Sequence, residues 1–194
     1  GCMNYPSGKS RDGVRQHIEL AWSADSYNWH RISPGTPLIG HTPAKARKYG
    51  AMPCDWGALF PAAPVILEKE IRIYYGASDW YFFDWRKGIL ALSTLRPDGW
   101  AGYEPVIPGE PAFVTTRPVR PCGKVLVSAD ISRSGSVTVM AVDGNGKELA
   151  TSEPITESCT DFQVQWIGGF SFVETGEVRL RFRLNRAKVY AFSL

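Results

Sequence analysis

Val178-Arg-Leu-Arg-Phe-Arg-Leu184 alternates four apolar residues with three arginines, the two-residue period of a β-strand with one face turned to a core. Val178, Leu180, Phe182 and Leu184 are expected to point inward, and Arg179, Arg181 and Arg183 toward water or an anionic partner. A second run, Ala187-Lys-Val-Tyr-Ala-Phe192, closes the chain. Upstream, Val125, Val127 and Ala129 alternate with Leu126, Ser128 and Asp130, and Val137, Val139 and Ala141 with Ser136, Thr138 and Met140. Asp143-Gly-Asn-Gly146 has the composition of a hairpin turn, because Gly and Asn tolerate positive φ. Val164 and Trp166 alternate with Gln163 and Gln165. Short alternating strands with turns at this spacing predict an antiparallel β-sandwich.

The first half reads as hairpins. His17-Ile-Glu-Leu-Ala-Trp-Ser23 predicts a strand that turns through Asp25-Ser-Tyr-Asn28 and returns along Trp29-His-Arg-Ile32. Pro64-Val-Ile-Leu67 and Ile71-Arg-Ile-Tyr-Tyr75 flank the charged turn Glu68-Lys-Glu70, and Lys87-Gly-Ile-Leu-Ala-Leu-Ser93 adds a strand closed by Arg96-Pro-Asp-Gly99. Helical periodicity is nearly absent; Thr42-Pro-Ala-Lys-Ala-Arg-Lys-Tyr49 reads as a loop carrying one turn. Ile107-Pro-Gly-Glu-Pro111 interrupts regular pairing and divides the chain into 1–108 and 109–194.

Composition narrows the function classes. The net charge of +3 with no basic run argues against a nucleic-acid partner. No apolar stretch approaches the roughly 20 residues of a membrane span, and no signal segment opens the chain. Gly1-Cys2 reads as the trace of lipoprotein processing or, more plainly, as an expression remnant. Cys2, Cys54, Cys122 and Cys159 form no C-x-x-C pair, and His17, His30 and His41 add no ligand spacing, so no metal is expected. Cys122 and Cys159 read equally as a bridge or as buried thiols. Serine elbows, phosphate-binding glycine loops and zinc-protease helices are absent, and no cofactor is expected.

Leu20-Ala-Trp-Ser-Ala-Asp-Ser-Tyr-Asn-Trp29 resembles the S-x-D-x-x-x-W blade hairpins of five-bladed β-propeller glycoside hydrolases, the invertase- and arabinanase-like group. In those hairpins the Asp caps the turn and the Trp packs between blades; Ser23, Asp25 and Trp29 stand at the matching positions. Asp55-Trp-Gly-Ala-Leu-Phe-Pro61 followed by Glu70-Ile-Arg-Ile-Tyr-Tyr-Gly-Ala-Ser-Asp79 is similar to a late blade. The last third, from Phe113-Val-Thr-Thr116 to Val189-Tyr-Ala-Phe192, resembles the β-sandwich appended to many such enzymes. The resemblance implies an all-β chain of partial propeller-like blades followed by an antiparallel sandwich. Only about one and a half to two four-stranded blades fit before Pro111. The family's catalytic Asp and Glu lie on earlier blades, so its catalytic residues are not carried over. Either the chain belongs to a longer hydrolase or the module is non-catalytic.

Asp55 with Trp56 and Gly57 has the residue types of a saccharide site: a carboxylate acceptor, a stacking ring and a close backbone approach. Its plainer reading is an Asp capping a strand entry. Asp79-Trp80 and Asp84-Trp85 repeat that composition among Tyr81, Phe82 and Phe83, a ring density that suggests a contact surface or a loop folded onto the core. His41, in Gly-His-Thr-Pro, lines the site or only supports its loop. Glu68 and Glu70 read as a solvated turn rather than paired acids. The expected partner is a carbohydrate, with a second copy of the chain or a missing N-terminal propeller portion as the protein partners. The expected function is a carbohydrate-active module of a glycoside hydrolase acting on a poly- or oligosaccharide; the alternative is a non-catalytic binding or self-assembling protein. An extracellular or periplasmic location is favoured over a cytoplasmic one.

Overall fold

The computed structural model describes residues 2–7, 14–46, 51–81, 87–121, 123–172 and 176–194. They form an all-β protein of antiparallel sheets, none of which closes into a barrel. The chain divides into two compact units, Gly1–Pro97 and Asp98–Leu194.

In the first unit β1 (Cys2–Ser7), β2 (Arg15–Trp22) and β3 (His30–Arg31) form a sheet with β2 in the middle. The predicted hairpin is present, with Ala21 opposite Arg31 and Trp22 opposite His30. Its turn is tied by Asp25, whose Oδ1 accepts the N–H groups of Asn28 at 2.7 Å and Tyr27 at 2.9 Å. The Asn28 backbone bond leads the interactions that hold the Asp25 carboxyl far below the ordinary carboxylate range. Trp29 is 51% exposed, and its indole N–H donates to Ser26 O at 3.2 Å.

The second sheet of this unit is built on β6 (Ile71–Ser78). Strand β7 (Gly88–Leu95) pairs with its whole length, while β5 (Val65–Ile66) and β4 (Leu59–Pro61) share the other edge. Ile71, Ile73, Tyr75 and Ala77 are buried and alternate with the partly exposed Arg72, Tyr74 and Gly76, as the two-residue period requires. Glu70 pairs with Arg72, in keeping with a solvated turn. A parallel bridge between Gln16 and Ala58 joins β2 to the entry of β4. The Thr42–Tyr49 segment carries a 3-10 turn at Ala44–Ala46; its residues 47–50 lie outside the described chain.

The second unit is one sheet folded about a long ribbon. β9 (Leu126–Val142) and β12 (Arg179–Ser193) pair along their lengths. β8 (Ala112–Thr115) lines β12, while β10 (Glu148–Thr151) and β11 (Cys159–Gln163) line the two ends of β9. Here the structure joins what the alternation separates. The runs at 125–130 and 136–141 are the two ends of β9, and those at 178–184 and 187–192 both belong to β12. The reason is a bulge: Asn185 pairs with Ser136 and Ala187 with Ile131, which leaves Arg186 unpaired against Ser132–Gly135. Across this irregularity, one residue of β12 against four of β9, the phase of β12 changes, so Leu184 and Ala187, three apart, both face inward. Trp166 lies beyond the end of β11 and bridges to Ser152 instead of extending a strand.

Both halves of the ribbon bury one face in a common core, with Val127, Ala129, Val137, Val139, Leu180 and Leu184 fully inaccessible. Arg179 and Arg183 face out, and Arg181 Nε lies 3.4 Å from the Thr115 hydroxyl. The Cys122–Cys159 pairing turns on Cys122, which lies outside the described residues.

The bend needs glycine at 135. A Cβ there would sit 2.5 Å from Arg186 O, 2.8 Å from Asn185 O and 2.9 Å from Ser132 O, all backbone atoms that have no rotamer to give. Gly135→Ala is expected to destabilise the second unit by roughly 1–3 kcal/mol, the usual cost of overpacking. Gly144→Ala, in open space, is expected to change stability by less than about 0.5 kcal/mol. Urea unfolding of both variants, followed at resolved second-unit resonances, checks the pair; equal midpoints would refute the bend's dependence on glycine.

Candidate functional site

One face of β2 and the rings beside β4 and β6 make the most chemically varied cluster in the first unit. Arg15, His17 and Glu19 are two residues apart along β2 and share a face. Each meets a different partner. The Arg15 guanidinium lies over the Trp56 ring, 4.8 Å from its centroid. The His17 ring stands edge-on to His41 with centroids 5.9 Å apart. Glu19 is completely buried, with Arg31 Nη2 at 2.6 Å, Arg31 Nε at 2.7 Å, His17 Nε2 at 2.8 Å and the Gly35 N–H at 3.0 Å.

Burial alone would push the Glu19 carboxyl up. The hydrogen bonds from His17, Arg31 and Gly35, with the Arg31 charge, outweigh that and hold it below its ordinary value. Burial leads the effects that lower His41, aided by the charges of Arg15 and His17 and opposed by hydrogen bonding to Gln16 and Gly57. His41 Nε2 lies 3.0 Å from Gln16 O. Burial and the neighbouring cations thus favour the neutral form of the His41 ring.

Trp56, Trp80 and Tyr81 form a partly exposed aromatic triangle. Their centroids are 5.7 Å apart for Trp56–Trp80, 5.0 Å for Trp56–Tyr81 and 5.3 Å for Trp80–Tyr81. Gly57 makes the triangle compact, because a Cβ there would fall 1.7 Å from Trp80 O. The close backbone approach expected at Gly57 is thus to the chain's own Trp80 carbonyl. Ser78 finishes the join: Gly57 N donates to Ser78 O at 2.7 Å, Ala58 N to Ser78 Oγ at 2.9 Å, and Ser78 Oγ to Trp80 O at 3.0 Å.

Asp55 accepts the Thr42 hydroxyl at 2.9 Å, which ties the loop after His41 to the ring triangle. Burial, then the neighbouring Asp55 and Cys54, push the Tyr75 phenol up. His41, Asp55, Trp56 and Trp80 are therefore linked around one locus. Asp79 Oδ1 accepts the Lys87 N–H at 2.8 Å, across the ring-dense stretch that the sequence reads as a loop. Phe82, Phe83, Asp84 and Trp85 of that loop lie outside the described residues. Among the described residues no group of three or more His, Cys, Asp or Glu is placed to hold a metal, and no helix is long and apolar enough to cross a membrane.

Arg15 and Glu19 are the site residues that sequence reasoning missed. One signal was available for Glu19. The β2–β3 register puts Arg31 opposite Ala21, so Glu19 is its diagonal neighbour on the same face, where opposite charges attract.

No family model matches the chain, and no curated protein and no solved structure matches it significantly.

The lowered Glu19 carboxyl sets a pH dependence. Folding favours its ionised form, so its stabilisation is complete above the unfolded value of about 4.3 and is lost as pH falls through the lowered folded value. Glu19→Gln is expected to cost about 3 kcal/mol at neutral pH, the low end for breaking a buried pair, since the Arg31 side chain keeps 27% exposure. Denaturant titration of first-unit resonances between roughly pH 7 and 2 checks this. An acid limb with the same slope in variant and unaltered protein would refute the assignment.

Proposed function

We propose that this chain is a carbohydrate-active module whose first unit is built of propeller-like blade hairpins and whose second is a β-sandwich, of the kind found in five-bladed propeller glycoside hydrolases. The observation that carries the reading is the Trp56–Trp80–Tyr81 triangle with Arg15 over one ring and Asp55 beside it. A partly exposed set of rings next to a carboxylate offers a face for sugar C–H groups and an acceptor for hydroxyls. The Asp25-capped hairpin and the ribbon that buries one face from both halves support the blade and sandwich assignments.

The reading assigns saccharide binding to this chain and leaves glycosidic hydrolysis outside the described residues. Hydrolysis uses two carboxyls across a cleft, roughly 5–9.5 Å apart. Around the ring triangle, Glu19 is buried and saturated by Arg31, His17 and the Gly35 N–H, while Asp55 and Asp79 each accept one hydrogen bond, from Thr42 and from Lys87, and are read as hydroxyl acceptors for a bound sugar. A glycan array probed with the full chain tests the assignment. Trp56→Ala and Trp80→Ala are each expected to weaken binding at least about fivefold, the low end of about 1–3 kcal/mol by analogy with an aromatic ring that stacks on a planar ligand. Unchanged binding by both variants, or no glycan bound, would overturn it.

A second reading, self-assembly, has its own observation. Strand β7, Gly88-Ile-Leu-Ala-Leu-Ser-Thr-Leu95, carries no charge and no proline, pairs only with β6 among the described residues, and exposes Leu90 to 76%. An uncharged edge of this length is a template for antiparallel pairing with a second copy. Sedimentation equilibrium is expected to show a dimer that Leu90→Lys dissociates; a strict monomer at high concentration would sink the idea.

A further inference from the structure

The second unit holds a cleft that the ring triangle does not explain. It is an open depression of about 740 Å³, a volume in the range of small-molecule sites, and lies against the bend of the β9–β12 ribbon. Its polar lining is Glu104, Asp130, Ser132, Arg186, Lys188 and Tyr190.

Two features show that the backbone builds this cleft. Arg186 and Tyr190 are the two residues of β12 that the ribbon's register skips, one at each bulge, and bulges re-aim side chains that regular alternation would place elsewhere. Arg186 also adopts φ 46°, a left-handed conformation that an arginine holds only where its surroundings impose it. The opposite wall is pinned as firmly. Tyr103 and Val189 exchange backbone hydrogen bonds at 2.9 and 3.0 Å. A Cβ on Gly102 would fall 2.7 Å from Val189 O and 2.8 Å from Lys188 Cγ, so the segment leading to Pro105 and Pro108 runs tight against β12.

The lining chemistry selects the ligand. Two carboxylates and two cations cancel formally, which disfavours a strongly ionic ligand. Lys188 Nζ meets Glu104 at 2.9 Å, and the Tyr190 hydroxyl donates to Asp130 Oδ2 at 2.8 Å. Ionised carboxylates are acceptors only and the Arg186 guanidinium is a donor only, so the wall offers both hydrogen-bonding senses. Pro105, Pro108 and the Tyr190 ring add apolar surface. Acceptors, donors and apolar faces in one lining match a molecule whose hydroxyls both donate and accept around an apolar ring.

We propose that this cleft is a separate binding site for a neutral saccharide. It is independent of the ring triangle and stands whether or not that surface binds sugar.

The test uses the full chain carrying Trp56→Ala and Trp80→Ala, which removes the first surface, on an array of neutral, sulfated and uronic-acid oligosaccharides. Binding to neutral glycans is expected to remain, and to fall about tenfold on adding Asp130→Asn or Arg186→Asn, the loss of a hydrogen bond to a charged group. Asn suits position 186 because it tolerates the left-handed backbone. Tyr190→Phe, which removes one hydroxyl and keeps the ring, is expected to weaken binding several-fold and serves if Arg186→Asn does not fold. No residual binding in the double-tryptophan variant would overturn the cleft site and leave the ring triangle standing. Preference for sulfated or uronic glycans, lost only with Arg186→Asn, would overturn the neutral class.

Discussion

The second unit depends on a conflict between hydrogen bonding and burial along one ribbon. β9 and β12 pair from Leu126 to Ile131 and again from Ser136 to Val142, and both stretches carry an apolar face that must leave water. Folding the ribbon brings Val127 and Ala129 into the core that Val137, Val139, Leu180 and Phe182 also line. The bend then demands a residue without a side chain at 135 and left-handed backbone at Ser134 and Arg186. Each fully buried aliphatic or aromatic side chain in that core contributes roughly 1.5–3 kcal/mol, against a local backbone cost of order 1–3 kcal/mol per strained residue. Burial wins by number, and the bend persists.

The first unit is organised around a buried charge. Glu19 lies on the middle strand of its sheet with no access to water, a position tolerable only because Arg31, His17 and the Gly35 N–H saturate it. These partners come from β2, β3 and the turn that follows, so the network fixes the hairpin relative to the next loop. The same strand face carries Arg15 to the Trp56 ring and His17 to His41. Orientation of the aromatic surface is thereby coupled to a salt bridge within its own sheet. This coupling accounts for a strand that is buried on both faces in its central residues despite its charged composition.

What the sequence disclosed and what it hid follow from contact range. The hairpins at Ser23–Trp29 and Leu67–Ile71 are local, set by turn chemistry and alternation, and both are present at their expected places. The ring cluster was legible as composition, because Trp56, Trp80 and Tyr81 are few and conspicuous. Its geometry was not, since it rests on Gly57 meeting Trp80 across β4 and β6. Asp79 also accepts the Lys87 N–H, a partner eight residues on that composition does not reveal. In β12 the change of phase between Leu184 and Ala187 looked like a strand end. A bulge produces the same pattern without ending the strand.

The two surfaces share a structural logic although their chemistry differs. At Gly57 the main chain of one segment fills the space where a side chain would stand; at Gly102 and Gly135 it does so again. Arg186 and Tyr190 occupy bulges, and Arg186 is held in the left-handed region as well. In each place tertiary packing overrides what the local residue would choose, and such overrides collect where a protein positions groups for contact with something else. The aromatic triangle presents apolar faces with one cation, while the bend presents balanced charges and hydroxyls. A saccharide, apolar on its ring faces and hydrogen-bonding at its rim, is the ligand proposed for each surface separately, and each stands or falls on its own set of contacts.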